Sequence, residues 1–270
     1  MISAGKELKK AVKERYAIGH FNIFNLETFQ AVVNASNRTK MPVFMGTSNK
    51  TLDYAGVSNI LGLYNSLPKT SKVILHLDHG SYENAKKCIR LGYPSVMFDG
   101  SSMPLNKNIK LTKKLVSMGN KKGVFVEGEV GILSADGLTN PSDAKVFVEK
   151  TGVDSLAVSI GNQHGYYKYM PVLDFQRLMD IRKVVNVPIV LHGASGLIES
   201  DIKTAIMYGV AKINIDTELR WNFTNSVSSY LSEHAPSKLN KDSFDARNYL
   251  GIARSSVEGK VFDFIRLFQR

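Results

Sequence analysis

Residues 72 to 80 read KVILHLDHG. Val73, Ile74 and Leu75 form the apolar, β-branched run expected of a strand buried on both faces, yet the run closes on His76, Asp78 and His79. Burying an unpaired charge is costly. The stretch therefore implies a strand that ends at a site where polar groups find partners, and the rest of the chain can be searched for strands that end the same way.

Seven further runs resemble it: AIGHFNI (17–23), PVFMGT (42–47), SVMFDG (95–100), VFVEGEV (124–130), SLAVSIG (155–161), PIVLHG (188–193) and KINIDT (212–217). Between them lie segments of helical periodicity, among them LETFQAVVNAS, YENAKKCIRLG, LNKNIKLTKKLVSMG, PSDAKVFVEKTG, LDFQRLMDIRKVV and ESDIKTAIMYG. Ser142, Asp174 and Glu199 read as helix N-caps, and Gly92, Gly119, Gly152 and Gly209 as helix stops. Eight strands alternating with helices, without a linker or a composition break, predict an α/β fold, a closed (β/α)8 TIM barrel in a single domain over 1–270. An open doubly wound sheet is the alternative, but no glycine fingerprint follows the first run.

The 270-residue length suits such a barrel, which typically takes about 250 residues. With 43% hydrophobic and 22% charged residues the chain can build a large core and is expected to be soluble and globular. No run reaches the roughly 18 apolar residues of a membrane span, and the opening MISAGKELKKAVKERY reads as neither leader nor anchor. The single cysteine, Cys88, follows Lys86 and Lys87 on a segment read as surface, and one cysteine forms no internal disulfide; a reducing, cytoplasmic setting is expected. The net charge of +11 is spread over lysine pairs, with no basic block or interleaved aromatics. That distribution argues against nucleic-acid binding and for attraction of small anions.

A barrel carries its active site at the C-terminal ends of its strands. The polar residues there are Asp78 and His79, Asp99, Glu127 and Glu129, His164, His192, and Asn214, Asp216 and Thr217. His79, His164 and His192 each precede a glycine, which lets a backbone approach a ligand closely. A lone histidine at a strand end is most often a hydrogen-bonded structural residue. Three of them with a carboxylate such as Glu129 suit zinc, whose catalytic sites keep a position open. His76 reads as structural, His20 is ambiguous, and His234, in SEHAPSKLNKDS, reads as solvated. The loops HGASGL and NIDTEL could form a phosphate nest from the amides of Gly193, Ala194 and Ser195, the Ser195 hydroxyl and Thr217, although GASG is equally a simple turn.

HLDHG, FDGS, VEGEVG, IGNQHGYYK, VLHGASG and KINIDTE, in this order, resemble the class II, zinc-dependent ketose-bisphosphate aldolases, fructose-bisphosphate and tagatose-bisphosphate aldolases among them, from YAIGHFNI to RNYLGIARSSV. The resemblance implies reversible cleavage of a ketose 1,6-bisphosphate, foremost fructose 1,6-bisphosphate, to dihydroxyacetone phosphate and an aldehyde phosphate through a metal-stabilised enediolate. Tagatose 1,6-bisphosphate or 6-phospho-5-dehydro-2-deoxygluconate are the alternative substrates. By this resemblance His79, His164 and His192 match zinc ligands and Glu129 a carboxylate near the metal. Asp78 matches the catalytic aspartate, the proton donor to the C4 oxygen in cleavage. Gly165, Lys168, Gly193, Ala194, Ser195, Asn214, Ile215, Asp216 and Thr217 match positions that hold dihydroxyacetone phosphate. A monovalent cation, Na+ or K+, near the phosphate and a homo-oligomer, dimer or tetramer, are also implied.

Ser48, after the second run, is a candidate pocket residue, and Arg247 and Arg254 are candidates for a second phosphate. One departure stands out. The family usually follows VEGEVG with a mobile loop whose glutamate exchanges the C3 proton, whereas this chain reads GILSADGLTNPSDAK, with Asp136 the acid in the gap. Asp136–Gly137 is also an ordinary turn. A sugar-phosphate-binding homologue with weak or no turnover is therefore the alternative to a working lyase.

Overall fold

The computed structural model of the chain describes residues 2–133, 137–165, 167, 169, 171–235, 237 and 244–269. Eight parallel strands close into one barrel: β1 (Ile18–Asn22), β2 (Val43–Thr47), β3 (Val73–Gly80), β4 (Ser95–Phe98), β5 (Phe125–Val130), β6 (Ser155–Val158), β7 (Ile189–Leu191) and β8 (Val210–Ile215). Each lies within one of the eight runs or reaches a residue or two beyond it. Pairing of β1 with β8, from Ile18 opposite Lys212 to Phe21 opposite Ile215, closes the sheet and excludes the open alternative.

Helices α1 (Ala4–Glu14), α2 (Leu26–Thr39), α3 (Asn49–Ala55), α4 (Val57–Asn65), α5 (Tyr82–Leu91) and α6 (Leu105–Asn120) belong to the first half of the chain. The second half supplies α7 (Pro141–Thr151), α8 (Phe175–Val184), α9 (Glu199–Met207), α10 (Thr217–Glu233) and α11 (Ala246–Leu267). Asp174 caps α8 by accepting from the Arg177 N–H, and Gly92 and Gly152 end α5 and α7 in left-handed geometry, as read. Three boundary readings are corrected. The cap of α7 is Asn140, with Ser142 already helical; Glu199 is the first residue of α9, after Ile198; and α6 runs through Gly119. Cys88 is fully buried, because it lies on the inner face of α5 with Ala85 and Ile89 and not on the lysine-bearing face.

The period-two alternation of each strand divides the interior in two. On β3, Val73, Leu75 and Leu77 face the helices in the main apolar shell. Ile74, one residue out of phase, instead joins Ile18, Phe44, Phe125 and Ala211 in a plug at the N-terminal end of the barrel, which α1 seals with Ala4, Leu8 and Ala11. Above this plug the inward positions turn polar: His20 and Asn22 on β1, His76 and Asp78 on β3, Glu127 and Glu129 on β5, His192 after β7, Lys212 and Asn214 on β8, all buried. The lumen is thus graded from apolar floor to polar rim.

Leu8 is fully buried in the floor. Leu8→Ala is expected to lower stability by about 2–5 kcal/mol, through the lost transfer free energy and the cavity left behind. Urea unfolding checks this as a lower midpoint at unchanged slope.

Candidate active site

Asp78 and His79 are neighbours in a strand, so their side chains should point to opposite faces. They do not, because β3 is irregular at this point. Its register against β4 shifts between Leu77 and Gly80, and His79 adopts φ 45°, a left-handed conformation uncommon outside glycine. The kink turns the His79 ring back over the rim beside Asp78. Asn49, at the start of α3, holds the kink: its Nδ2 donates to the His79 carbonyl at 2.9 Å, and its Oδ1 accepts from the Ser81 N–H at 3.1 Å. Gly80 then passes so close to β4 that an added Cβ would lie 2.7 Å from the Met97 carbonyl oxygen.

The Asp78 carboxylate is clamped from both sides, by Asn22 Nδ2 at 2.9 Å from Oδ2 and by Asn214 Nδ2 at 3.1 Å from Oδ1. Burial alone would raise its pKa, but His79, His20 and His192 outweigh that and hold Asp78 well below the usual carboxylate range. Asp78 is therefore ionised. A carboxylate held in that form is a proton acceptor, whereas the sequence reading has Asp78 donating in cleavage.

Three histidine rings converge beside it. His79 Nε2 lies 2.9 Å from His192 Nδ1, and the His164 ring sits edge-on to His79 with centroids 4.6 Å apart. The remaining nitrogens of the first two are held by carboxylates: His79 Nδ1 is 2.8 Å from Asp99 Oδ2, and His192 Nε2 is 2.9 Å from Glu127 Oε1. Asp99 is itself fixed, its Oδ1 accepting from the Ser101 N–H and hydroxyl. Burial lowers the pKa of His192, and burial together with the neighbouring histidines lowers that of His164 to about 4. For His79, burial acts in the same direction but is overcome by Asp78, Asp99 and Glu129, which raise it to about 10.

Glu129 is buried, with its Oε2 3.7 Å from His79 Nδ1 and without a hydrogen-bond partner among the described residues. Desolvation raises its pKa to about 8. An orphaned buried carboxylate oxygen beside convergent imidazoles, of which His79 and His192 are backed by carboxylates, is a donor set that fits zinc. Two overlapping groups, Asp78–His79–His192 and His79–Asp99–Glu129, bring their ligand atoms within 4.8 Å of one another. His164 stands at the exposed edge and belongs to neither tight group.

Asp78, His79, His164 and His192 border a cavity of about 480 Å3 at the C-terminal rim. Gly165, Gly193, Ser195, Asn214, Asp216 and Thr217 line one side, and Ser48 lines the other, where its hydroxyl caps α3 by accepting from the Thr51 N–H. Gly193 has φ 61°, and a Cβ there would lie 2.1 Å from the Gln163 carbonyl oxygen, so only glycine lets the loop after β7 lie against the loop carrying His164. Tyr167 ties the two loops by donating to the Gly193 carbonyl at 2.6 Å. Two expected lining residues do not line the cavity. The Ile215 side chain packs outward in the apolar shell, and Ala194 is buried with its N–H directed at the Asn214 carbonyl, 3.4 Å away. Lys168 and Asp136 lie outside the described residues.

Arg247 and Arg254 are away from the cavity: Arg247 pairs with Asp245 at the start of α11, and Arg254 donates to Gln30 on α2. Among the described residues, the lysine and arginine side chains that line the cavity are instead Lys50 and Arg220, the latter 2.7 Å from Asp216 and over the Phe24 ring. Sequence reading also missed Asn22, Asn49 and Lys212. Asn22 shares the period-two phase of His20, whose placement the sequence leaves ambiguous, and Lys212 that of Asn214. His20 and His76 are fully buried in the lumen and His234 is exposed, stacked on Tyr230.

A closed (β/α)8 barrel with a polar, histidine-rich cavity at its C-terminal rim defines the class of enzyme. Residues 3–270 match the family model described as fructose-bisphosphate aldolase class-II. Among solved structures, the YdjI aldolase from Escherichia coli K12 is 35% identical, with a TM-score of 0.87 over 99% of this chain and 97% of that one. Fructose-bisphosphate aldolase (Fba) from Campylobacter jejuni is 26% identical, with a TM-score of 0.82 over 99% of this chain and 95% of that one. The chain belongs to the class II fructose-bisphosphate aldolase family and is an aldolase, a carbon–carbon lyase.

Asn49→Ala removes the side chain that holds the His79 carbonyl in its left-handed turn. A stability loss of about 1–3 kcal/mol is expected from the stranded polar groups, measured by urea unfolding of the metal-free protein.

Proposed function

We propose that this aldolase is zinc-dependent and cleaves a ketose 1,6-bisphosphate, fructose 1,6-bisphosphate foremost, to dihydroxyacetone phosphate and an aldehyde phosphate. The observation that carries the reading is the Asp78 carboxylate, fixed by two asparagine amides directly beside the convergent His79 and His192 rings. His79, His164 and His192, with Glu129 adjacent, would hold the metal. When bound, zinc would supply Lewis-acid polarisation of the substrate ketone. Asp78 takes the C4 hydroxyl proton as the C3–C4 bond breaks, the bonding pair passes to the dihydroxyacetone half, and a separate proton added at C3 completes dihydroxyacetone phosphate; condensation reverses both transfers.

The phosphate of the dihydroxyacetone half fits the loops after β7 and β8. There Ser195 Oγ accepts from the Glu218 N–H at 3.2 Å, and α10, 17 residues long, starts at Thr217 with its positive dipole end facing the cavity. Arg220 of the same α10, held by Asp216, is suited to that phosphate, and Lys50, beside Ser48, to the anionic far end of the substrate. A monovalent cation near the phosphate and a homo-oligomer belong to the same proposal.

A second reading, binding of metal and sugar phosphate without turnover, draws on one observation: no glutamate lies between Gly131 and Pro141. Retention of the Asp78 clamp favours the working lyase.

Release of triose phosphate from fructose 1,6-bisphosphate and from tagatose 1,6-bisphosphate tests the proposal, and turnover of neither favours the second reading. Asp78→Asn is expected to lower kcat by roughly 10²–10⁴-fold at unchanged metal content; a loss under tenfold would remove Asp78 from the chemistry. Arg220→Ala is expected to raise KM for the bisphosphate roughly tenfold or more, the worth of a charge-assisted contact, whereas Arg247→Ala leaves KM unchanged in the same steady-state assay.

A further inference from the structure

Directly beneath the rim, Glu127 and Lys212 form an ion pair with both side chains fully buried. Lys212 Nζ donates to Oε1 at 3.1 Å and to Oε2 at 2.9 Å, and Ser155 Oγ donates to Oε2 at 3.1 Å. The fourth contact of the carboxylate is His192 Nε2, 2.9 Å from Oε1. An ammonium has only protons to give and a carboxylate has none. Every group around Glu127 therefore donates into it, and His192 must do the same through an Nε2–H.

A neutral imidazole with its proton on Nε2 has its lone pair on Nδ1. In His192 that atom is the one facing His79 Nε2 at 2.9 Å, with Asn214 Nδ2 at 3.1 Å. The His192 backbone is fixed independently, its carbonyl accepting from Asn162 Nδ2 at 3.0 Å. We propose that Glu127, with Lys212 as its buried counter-charge, is a positioning pair that selects the Nε2–H form of His192 and aims its Nδ1 lone pair at the metal position. The inference rests on the zinc reading of this site and deepens it. It assigns a role to a residue the sequence offered only as a rim carboxylate, Glu127, and to one it did not single out, Lys212.

The pair's two duties are separable. Selecting the ring form needs an acceptor-only group at position 127, while keeping the barrel folded needs the two buried charges to balance. Glu127→Gln keeps the shape but places a carboxamide N–H2 opposite His192 Nε2 whenever its oxygen turns to Lys212. Lys212→Met leaves a buried carboxylate alone and destabilises the fold, and the double variant E127M/K212M removes both charges and any acceptor at position 127 together.

Two measurements test the proposal. In metal-free wild-type protein, long-range proton–nitrogen NMR of the histidine rings, with His192 assigned by its loss in His192→Gln, is expected to show the Nε2–H form; the Nδ1–H form overturns the proposal and needs no Glu127 variant to fold. Zinc affinity measured by competition with a chromophoric chelator is expected to fall about 10–100-fold in E127Q. The double variant is expected to regain the unfolding midpoint lost in Lys212→Met while its zinc affinity stays as low as that of E127Q. Zinc affinity in E127Q within about threefold of wild type, or recovered in the double variant, overturns the proposal. A wild-type protein that binds no zinc would instead overturn the metal reading itself.

Discussion

An ammonium and a carboxylate, Lys212 and Glu127, meet in the middle of the barrel where neither reaches solvent. Each alone would carry a desolvation penalty of several kcal/mol, and breaking such a pair from one side typically costs about 3–5 kcal/mol. The pair persists because its remaining valences are filled by Ser155 and His192. It divides the lumen: below lies the apolar floor of Ile18, Phe44, Ile74 and Phe125, above it the clamp on Asp78 and the convergent rings. A polar rim needs such a foundation, since the side chains at the rim lean on inward neighbours that are themselves polar.

The rim's second requirement is local. A regular strand cannot aim two consecutive side chains at one point, and the left-handed turn at His79 meets that difficulty. Backbone strain of this kind persists only where surrounding contacts over-determine it. Asn49 on one side and Asp99 on the ring supply those contacts. Glycine at position 80 then allows β4 to close against the kink.

Much of the fold was legible because buried parallel strands advertise themselves as apolar runs, and eight of them leave few topologies. Helix limits were less so: Gly119 lies within α6, since an isolated glycine does not end a helix whose flanking residues still pack. Cys88 was misplaced because two lysines precede it, although helical spacing puts it on the opposite face with Ala85. At the site, the histidines and Asp78 stood out as chemically reactive types at strand ends. Asn22, Asn49, Lys50 and Arg220 did not, because amides and surface cations are common and only three-dimensional convergence gives them a role. Lys212 was hidden for another reason: a lysine in an apolar run looks like a strand-end residue until the strand across the barrel bearing Glu127 is known.

The central claim is that one metal ion, held by the rings around Asp78, makes this barrel an aldolase. Stripping the protein of metal and titrating zinc back while following triose phosphate release from fructose 1,6-bisphosphate tests it most directly. The account predicts no release from metal-free protein and a linear rise that saturates at one zinc per chain. Undiminished release from protein shown to be free of metal would contradict it.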